Sequence, residues 1–210
     1  MNLKQSKQKR QSYLENNFIR RSNRVVVKRS VYGHGINDSK YLTQPIVMGC
    51  KLMCPAYDSW KSMLFRSCSE KYKKRNPTYK EVSVNDSWKT FSNYLSWWKI
   101  NQVDGWHLDK DLLTNNKEYS SECCLFIPQW LNKFTLDSKG RRGEFPLGVY
   151  YRPEYGKFTA ACSNPITGKP EHVGVFSSPY DAHEAWMTKK LEFALMLKQD
   201  MDKIDTRIYT

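Results

Sequence analysis

Five side chains between positions 107 and 132 are of types that hold metal ions or move protons: His107, Asp109, Lys110, Asp111 and Asn132. Asp109, Asp111 and the amide oxygen of Asn132 are hard oxygen donors, the kind that magnesium or manganese takes alongside water. His107 and Lys110 are the neighbouring candidate bases. A lysine fills that role near neutral pH only where burial or a cationic neighbour lowers its pKa. The same spacing also fits a plainer arrangement, in which Asp109, Lys110 and Asp111 form a solvated turn and Asn132 lies on a helix surface.

Stepping outward, the pattern around these residues is strand, loop, strand, helix. Residues 106–111 (WHLDKD) have strand character. Residues 112–122 are polar, with Asn115, Asn116 and Ser121 supplying loop chemistry. The apolar run 123–127 (CCLFI) has strand length. Pro128 suits the start of a helix over 129–134, where its missing N–H costs nothing. Upstream, Tyr57, Trp60, Leu64 and Cys68 repeat at helical spacing from Pro55. Trp88, Phe91, Leu95 and Trp98 do the same after a cap at Asp86 or Ser87. Both stripes read as core that supports the 106–134 unit, and residues 82–84 read as a short strand. Cys50, Cys54, Cys68 and Cys123 or Cys124 could be combined as a zinc site, but their spacing is not that of paired-cysteine knuckles. Cysteine in an apolar run packs as a small hydrophobe. His34, in the glycine-punctuated loop YGHGIN, is a lone loop histidine.

The stretch LDKDLLTNNKEYSSECCLFIPQWLN resembles the LDKD…YSPxTC…P…N signature of HNH-type endonucleases of tailed bacteriophages, homing enzymes among them. YDSWKSMLFRSCSEKY and PTYKEVSVNDSWKTFSNYLSWW extend the resemblance. It implies a ββα-metal core in which Asp109 on the first strand and Asn132 on the helix hold one magnesium or manganese ion. Asp111 would ligate the ion or support it, and His107 or Lys110 would act as base in hydrolysing a phosphodiester of duplex DNA. The chain departs from the pattern at Lys110, where many such enzymes carry a histidine. The resemblance further implies the cytoplasm of an infected bacterial host as the location.

Composition points toward a polyanionic partner. Net charge is +13, from 34 Lys and Arg against 21 Asp and Glu. That excess opposes compactness and suits nucleic acid. An aromatic content of 14% excludes a purely disordered basic tail. No run is apolar enough to span a bilayer and no signal peptide is evident, so a soluble, intracellular protein is expected. Six cysteines in 210 residues do not make a disulfide scaffold. Residues 1–30 set Lys4, Lys7, Lys9, Arg10, Arg20, Arg21, Arg24, Lys28 and Arg29 against Glu15 alone. This reads as a disordered arm that neutralises phosphates.

After a glycine- and arginine-bearing linker at 135–146 the period changes. Residues 147–152, 157–163 and 171–176 read as three strands joined by turns at 155–156 and 164–169. Ser178 and Pro179 open a helix whose Ala182, Ala185, Trp186, Phe193 and Leu197 share a face. One helix on one side of three antiparallel strands leaves the other side open for a DNA major groove. The pattern GVYYRPEYGKFTAACSN…EHVGVFSSPYDAHEAW resembles the Apetala-type DNA-binding domain, with its GVR-x-R…GKW-x-A…W-L-G-x-F strands. Matched by position, it implies DNA contacts from Tyr150, Arg152, Tyr155, Ser163 and His172. Arg141, Arg142, Lys157 and Lys169 add phosphate contacts.

The expected fold class is α+β: an N-terminal helical region with a ββα-metal (HNH-like) core, then a small three-stranded antiparallel sheet packed on one helix. The expected domains are a flexible basic arm at 1–40, a nuclease domain at 41–134, a linker at 135–146, an Apetala-type domain at 147–200 and a tail at 201–210. The function expected is that of a magnesium-dependent, site-specific DNA endonuclease, acting as a monomer on double-stranded DNA and not on membranes. The alternative is a non-catalytic DNA-binding regulator that keeps a degenerate nuclease core as scaffold.

Overall fold

The computed structural model describes residues 6–20, 30–136 and 144–209. Arg141 and Arg142, expected to contact phosphates, lie outside these residues, as do parts of the basic arm. The architecture is mixed α and β, and the chain divides into two compact units, Met1–Phe126 and Ile127–Thr210.

The first unit begins with a helix where a flexible arm was expected. α1 (Lys7–Asn17) is capped by Ser6, whose hydroxyl accepts the Lys9 N–H. Leu14 and Gln11 are buried. The Gln11 amide donates to Tyr41 Oη at 2.7 Å, and its Oε1 accepts the Cys54 thiol at 2.9 Å. A helix with little apolar periodicity is therefore held by Leu14 and a buried polar network, while its lysines stay in reach of water. A two-stranded ribbon follows, β1 (Ile46–Val47) with β2 (Cys50–Lys51).

α2 (Pro55–Cys68) starts as the sequence requires, with Pro55 in its first turn and Asp58 close behind. α3 (Glu70–Arg75) carries the basic run. β3 (Ser83–Val84) precedes a 3-10 turn at Asp86–Lys89, capped by Asn85 and not by Asp86 or Ser87; α4 (Phe91–Asn101) begins only after it. Trp60, Met63, Leu64, Trp88, Phe91, Tyr94 and Trp98 are buried together between α2 and α4. The Trp60 indole N–H donates to the Trp88 carbonyl at 2.7 Å, so this fully buried indole has its polar atom satisfied.

β4 (His107–Asp109) pairs with β6 (Leu125–Ile127), while β5 (Glu118–Tyr119), inside the supposed loop, pairs in parallel with β3. α5 (Gln129–Thr135) follows Pro128 as expected but falls in the second unit. The strand pair β4–β6 followed by α5 has the expected order of elements, but nothing among the described residues shows a metal-holding core there. The boundary between the units falls at 126/127, within β6.

In the second unit, β7 (Val149–Arg152), β8 (Lys157–Ser163) and β9 (Pro170–Phe176) form an antiparallel sheet in that order. Asn164 Oδ1 accepts the N–H groups of Ile166 and Thr167, closing the β8–β9 turn. The β8–β9 register shifts between Ala160 and Ala161: Ala160 faces Gly174, but Ala161 faces His172. Val173 is the extra residue of a β-bulge. α6 (Pro179–Ile204) is 26 residues long, with Ser178 Oγ accepting the Tyr180 N–H. Its Ala182 packs on Val149 and Ala160, with Phe158, Val173, Phe176 and Trp186 around them. The expected tail at 201–210 is helix and turn. Met201 is buried, a 3-10 turn follows at Thr206–Tyr209, and the Lys198 ammonium sits 5.1 Å from the Tyr209 ring centroid. The helix continues because Met201 lies one turn beyond Leu197 on the same apolar face.

Candidate nucleic-acid interface

Side chains alternate across a strand, so the register sorts the sheet into two faces. Val149, Tyr151, Phe158 and Ala160 lie toward α6. Tyr150 pairs with Thr159, Arg152 with Lys157, Ala161 with His172, and Ser163 with Pro170. These residues lie on the opposite side. Five of the expected DNA contacts, Tyr150, Arg152, Lys157, Ser163 and His172, therefore share one face, and all five are exposed. Tyr155 and Lys169 are exposed in the turns at either end of β8. The Arg152 guanidinium lies 4.9 Å from the centroid of the Tyr150 ring, a cation–π contact that favours one placement of the side chain. Val175, pairing with Thr159 on the same face, is 52% exposed. Sequence reasoning missed it because the bulge at Val173 breaks the alternation by which it would have been found.

Beside this face, α5 and the end of β8 line a cavity of about 810 Å³ with Trp130, Lys133, Phe134, Ser163, Trp186 and Lys190 among its walls. The Lys190 ammonium donates to the Phe134 carbonyl at 2.5 Å and lies 3.5 Å from that ring's centroid. Burial pushes its pKa below the usual lysine value.

Over 53 residues, 25% of its length, the chain is 38% identical to an ethylene-responsive transcription factor of Arabidopsis thaliana. It covers 18% of that protein. No family model matches the chain, and no solved structure does.

The residues first singled out for chemistry sit elsewhere. Asp109 closes a turn: its Oδ1 accepts the N–H groups of Asp111 and Leu112, each at 2.9 Å. Burial raises the Asp109 carboxyl above the usual range, opposed by those two hydrogen bonds. Lys110 is 5% exposed. Its ammonium is paired with Asp111 and lies 5.6 and 5.8 Å from the ring centroids of Tyr79 and Tyr119. His107 is exposed on β4. It shares a strand face with Asp109, while Leu108 between them packs toward the core. Asn132 belongs to the other unit. Among the described residues no group of three His, Cys, Asp or Glu side chains is arranged to hold a metal ion. One oxygen of Asp109 is engaged by its own turn and one oxygen of Asp111 by Lys110. Nor do the cysteines gather: Cys54 caps α2, Cys124 is buried, and Cys50 is exposed. No described helix is long and apolar enough to cross a membrane.

Proposed function

We propose that this protein binds double-stranded DNA through the open face of β7–β9 and acts as a DNA-binding regulator. The observation that carries this reading is the convergence of Tyr150, Arg152, Lys157, Ser163 and His172 on one exposed side of a sheet backed by a single helix. A two- or three-stranded sheet fits the major groove, where base edges present distinct donor and acceptor patterns. Arg152, oriented by Tyr150, has the fork geometry for a guanine edge or for phosphate. Lys157, opposite it in register, neutralises phosphate. His172 and Ser163 add polar contacts at the far end, and Val175 offers an apolar surface to a thymine methyl. A net charge of +13 draws the chain to the duplex before any base is read. The partial similarity to a transcription factor supports the same reading.

The test uses the full chain and a duplex selected from a random-sequence library, with anisotropy titrations at several salt concentrations. Arg152→Ala should relax preference at one or two base pairs, by about 1–3 kcal/mol each. Lys157→Ala should weaken selected and random duplexes alike and reduce the salt slope by roughly 0.9. Absence of binding to any duplex, or wild-type affinity in both variants, would overturn the proposal.

A further inference from the structure

The outer side of α6 carries a pattern that reads the same in both directions. Tyr180, Glu184, Met187, Leu191, Leu195, Lys198 and Asp202 follow steps of four, three, four, four, three and four. At 3.6 residues per turn they all fall within about 40° of Leu191, along about 33 Å of helix. This stripe lies opposite the buried side of α6, where Ala182, Phe193 and Leu197 sit. Met187, Leu191 and Leu195 are 46%, 59% and 61% exposed, and the acid and the base stand at equal distances on either side of them.

We infer that this stripe pairs antiparallel with the same stripe of a second copy of the chain. With the two-fold axis at Leu191, Leu191 meets its equivalent and Met187 meets the partner's Leu195. Glu184 then meets the partner's Lys198, so each pairing closes with two ion pairs. A self-complementary patch of this kind is what a two-fold interface requires. Lys198 is held by Asp202 at 2.6 Å and lies against the Tyr209 ring, so in the pair it bridges its own Asp202 and the partner's Glu184. The apolar area is small, so the dimer belongs to the weak, concentration-dependent class. The arrangement also carries a consequence that rests on the DNA-binding reading. The open face of each sheet lies on the far side from α6, so paired helices aim two DNA faces in opposite directions. Such a dimer bridges two duplex segments instead of reading two half-sites on one side of a single duplex.

Sedimentation of the full chain without DNA tests the pairing separately from DNA binding. Wild type should shift from monomer toward dimer with rising concentration in the micromolar range, and Leu191→Glu should stay monomeric. Glu184→Lys and Lys198→Glu should each lose association at least tenfold, through like charges at both contacts. An equimolar mixture of those two variants should regain it, because opposite charges then face each other across the axis. A wild-type chain that stays monomeric throughout, or a mixture that does not associate, overturns the inference. For bridging, wild type should hold a fluorescent duplex to a bead-bound one, and Leu191→Glu should bind a single duplex without bridging. Bridging by Leu191→Glu would refute the back-to-back arrangement. A wild type that dimerises yet binds no duplex would refute the DNA reading alone.

Discussion

Gly148, the residue before β7, should tolerate no side chain. Its φ is +81°, and a Cβ built there would lie 2.1–2.4 Å from three atoms of the Trp186 indole. The ring is not a loose end. It stacks on His183 with centroids 5.6 Å apart and 11° between planes. The His183 Nδ1–H in turn donates to the Leu147 carbonyl at 2.8 Å. Gly148→Ala therefore meets two costs. Left-handed backbone for a residue with a Cβ is about 1–2 kcal/mol, and displacing a packed ring adds about 1–3 kcal/mol. The total, about 2–5 kcal/mol, is a large part of a typical domain's stability. In a Trp186→Ala background only the backbone cost should remain, so the double-mutant cycle should show coupling of about 1–3 kcal/mol. Urea denaturation of the full chain, followed by circular dichroism, measures all four corners. A penalty below about 1 kcal/mol, or the same penalty with and without the indole, would refute the argument. Because Tyr150 and Arg152 follow within four residues, DNA affinity should fall with stability.

Asp109→Asn keeps the oxygen that accepts the two turn N–H groups but removes a buried charge. The folded-state pKa is raised, so wild type loses stability as pH climbs from the ordinary carboxyl value through the Asp109 titration. The asparagine variant should lack that loss in melts from pH 3 to 7, whereas Asp109→Ala should cost about 1–3 kcal/mol. Supercoiled plasmid with magnesium tests the nuclease expectation directly: nicking by wild type that Asp109→Ala abolishes would support it, and intact plasmid would count against it. Gln11→Ala should cost about 1–3 kcal/mol in denaturant, because it takes the acceptor from the Ala56 N–H and the Cys54 thiol in the core. A thiol reagent at pH 8 should modify exposed Cys50 quickly and leave Cys124, pushed up to about 12 by burial, unreacted until unfolding. Since that folded pKa is raised from 9.0, the Cys124 contribution to stability should persist below pH 9 and disappear between there and about 12.

The second unit was the more legible because its signals are local. Asn164 and Gly168 mark one turn, Gly156 another, and Ser178 with Pro179 a helix start; each acts on its own neighbours. β8 falls on the expected residues and β9 within one of them. The end of α6 was misplaced although Met201 continues the Phe193 and Leu197 face. Lys198, Asp200, Asp202 and Lys203 gave that segment the composition of a tail. In the first unit the decisive contacts are distant in sequence. α1 has little periodicity, and its place depends on Gln11 meeting Cys54. β5 is two residues inside a polar stretch, visible only through pairing with β3. The burial of Lys110 requires Tyr79 and Tyr119 to converge on it, which no spacing around Asp109 reveals. The open face was legible as a set of residues, and Val175 escaped because an irregularity in pairing cannot be read from one strand alone.

That irregularity gives β9 a switch measured in single residues. Val173 and Gly174 both lie on the α6 side of the sheet, so His172 and Val175 both emerge on the other. Remove Val173, and a regular ladder would close with the outward set unchanged in identity, at the cost of the Val173 packing against the cluster of Val149, Ala160 and Ala182. Move the slack two places along instead, and His172 would turn inward against the helix while an aliphatic side chain took its place outside. One amino acid of surplus length thus acts as a phase marker for the strand. A shift in where that surplus falls would change which β9 side chains stand on the open face without altering a single residue on β7 or β8.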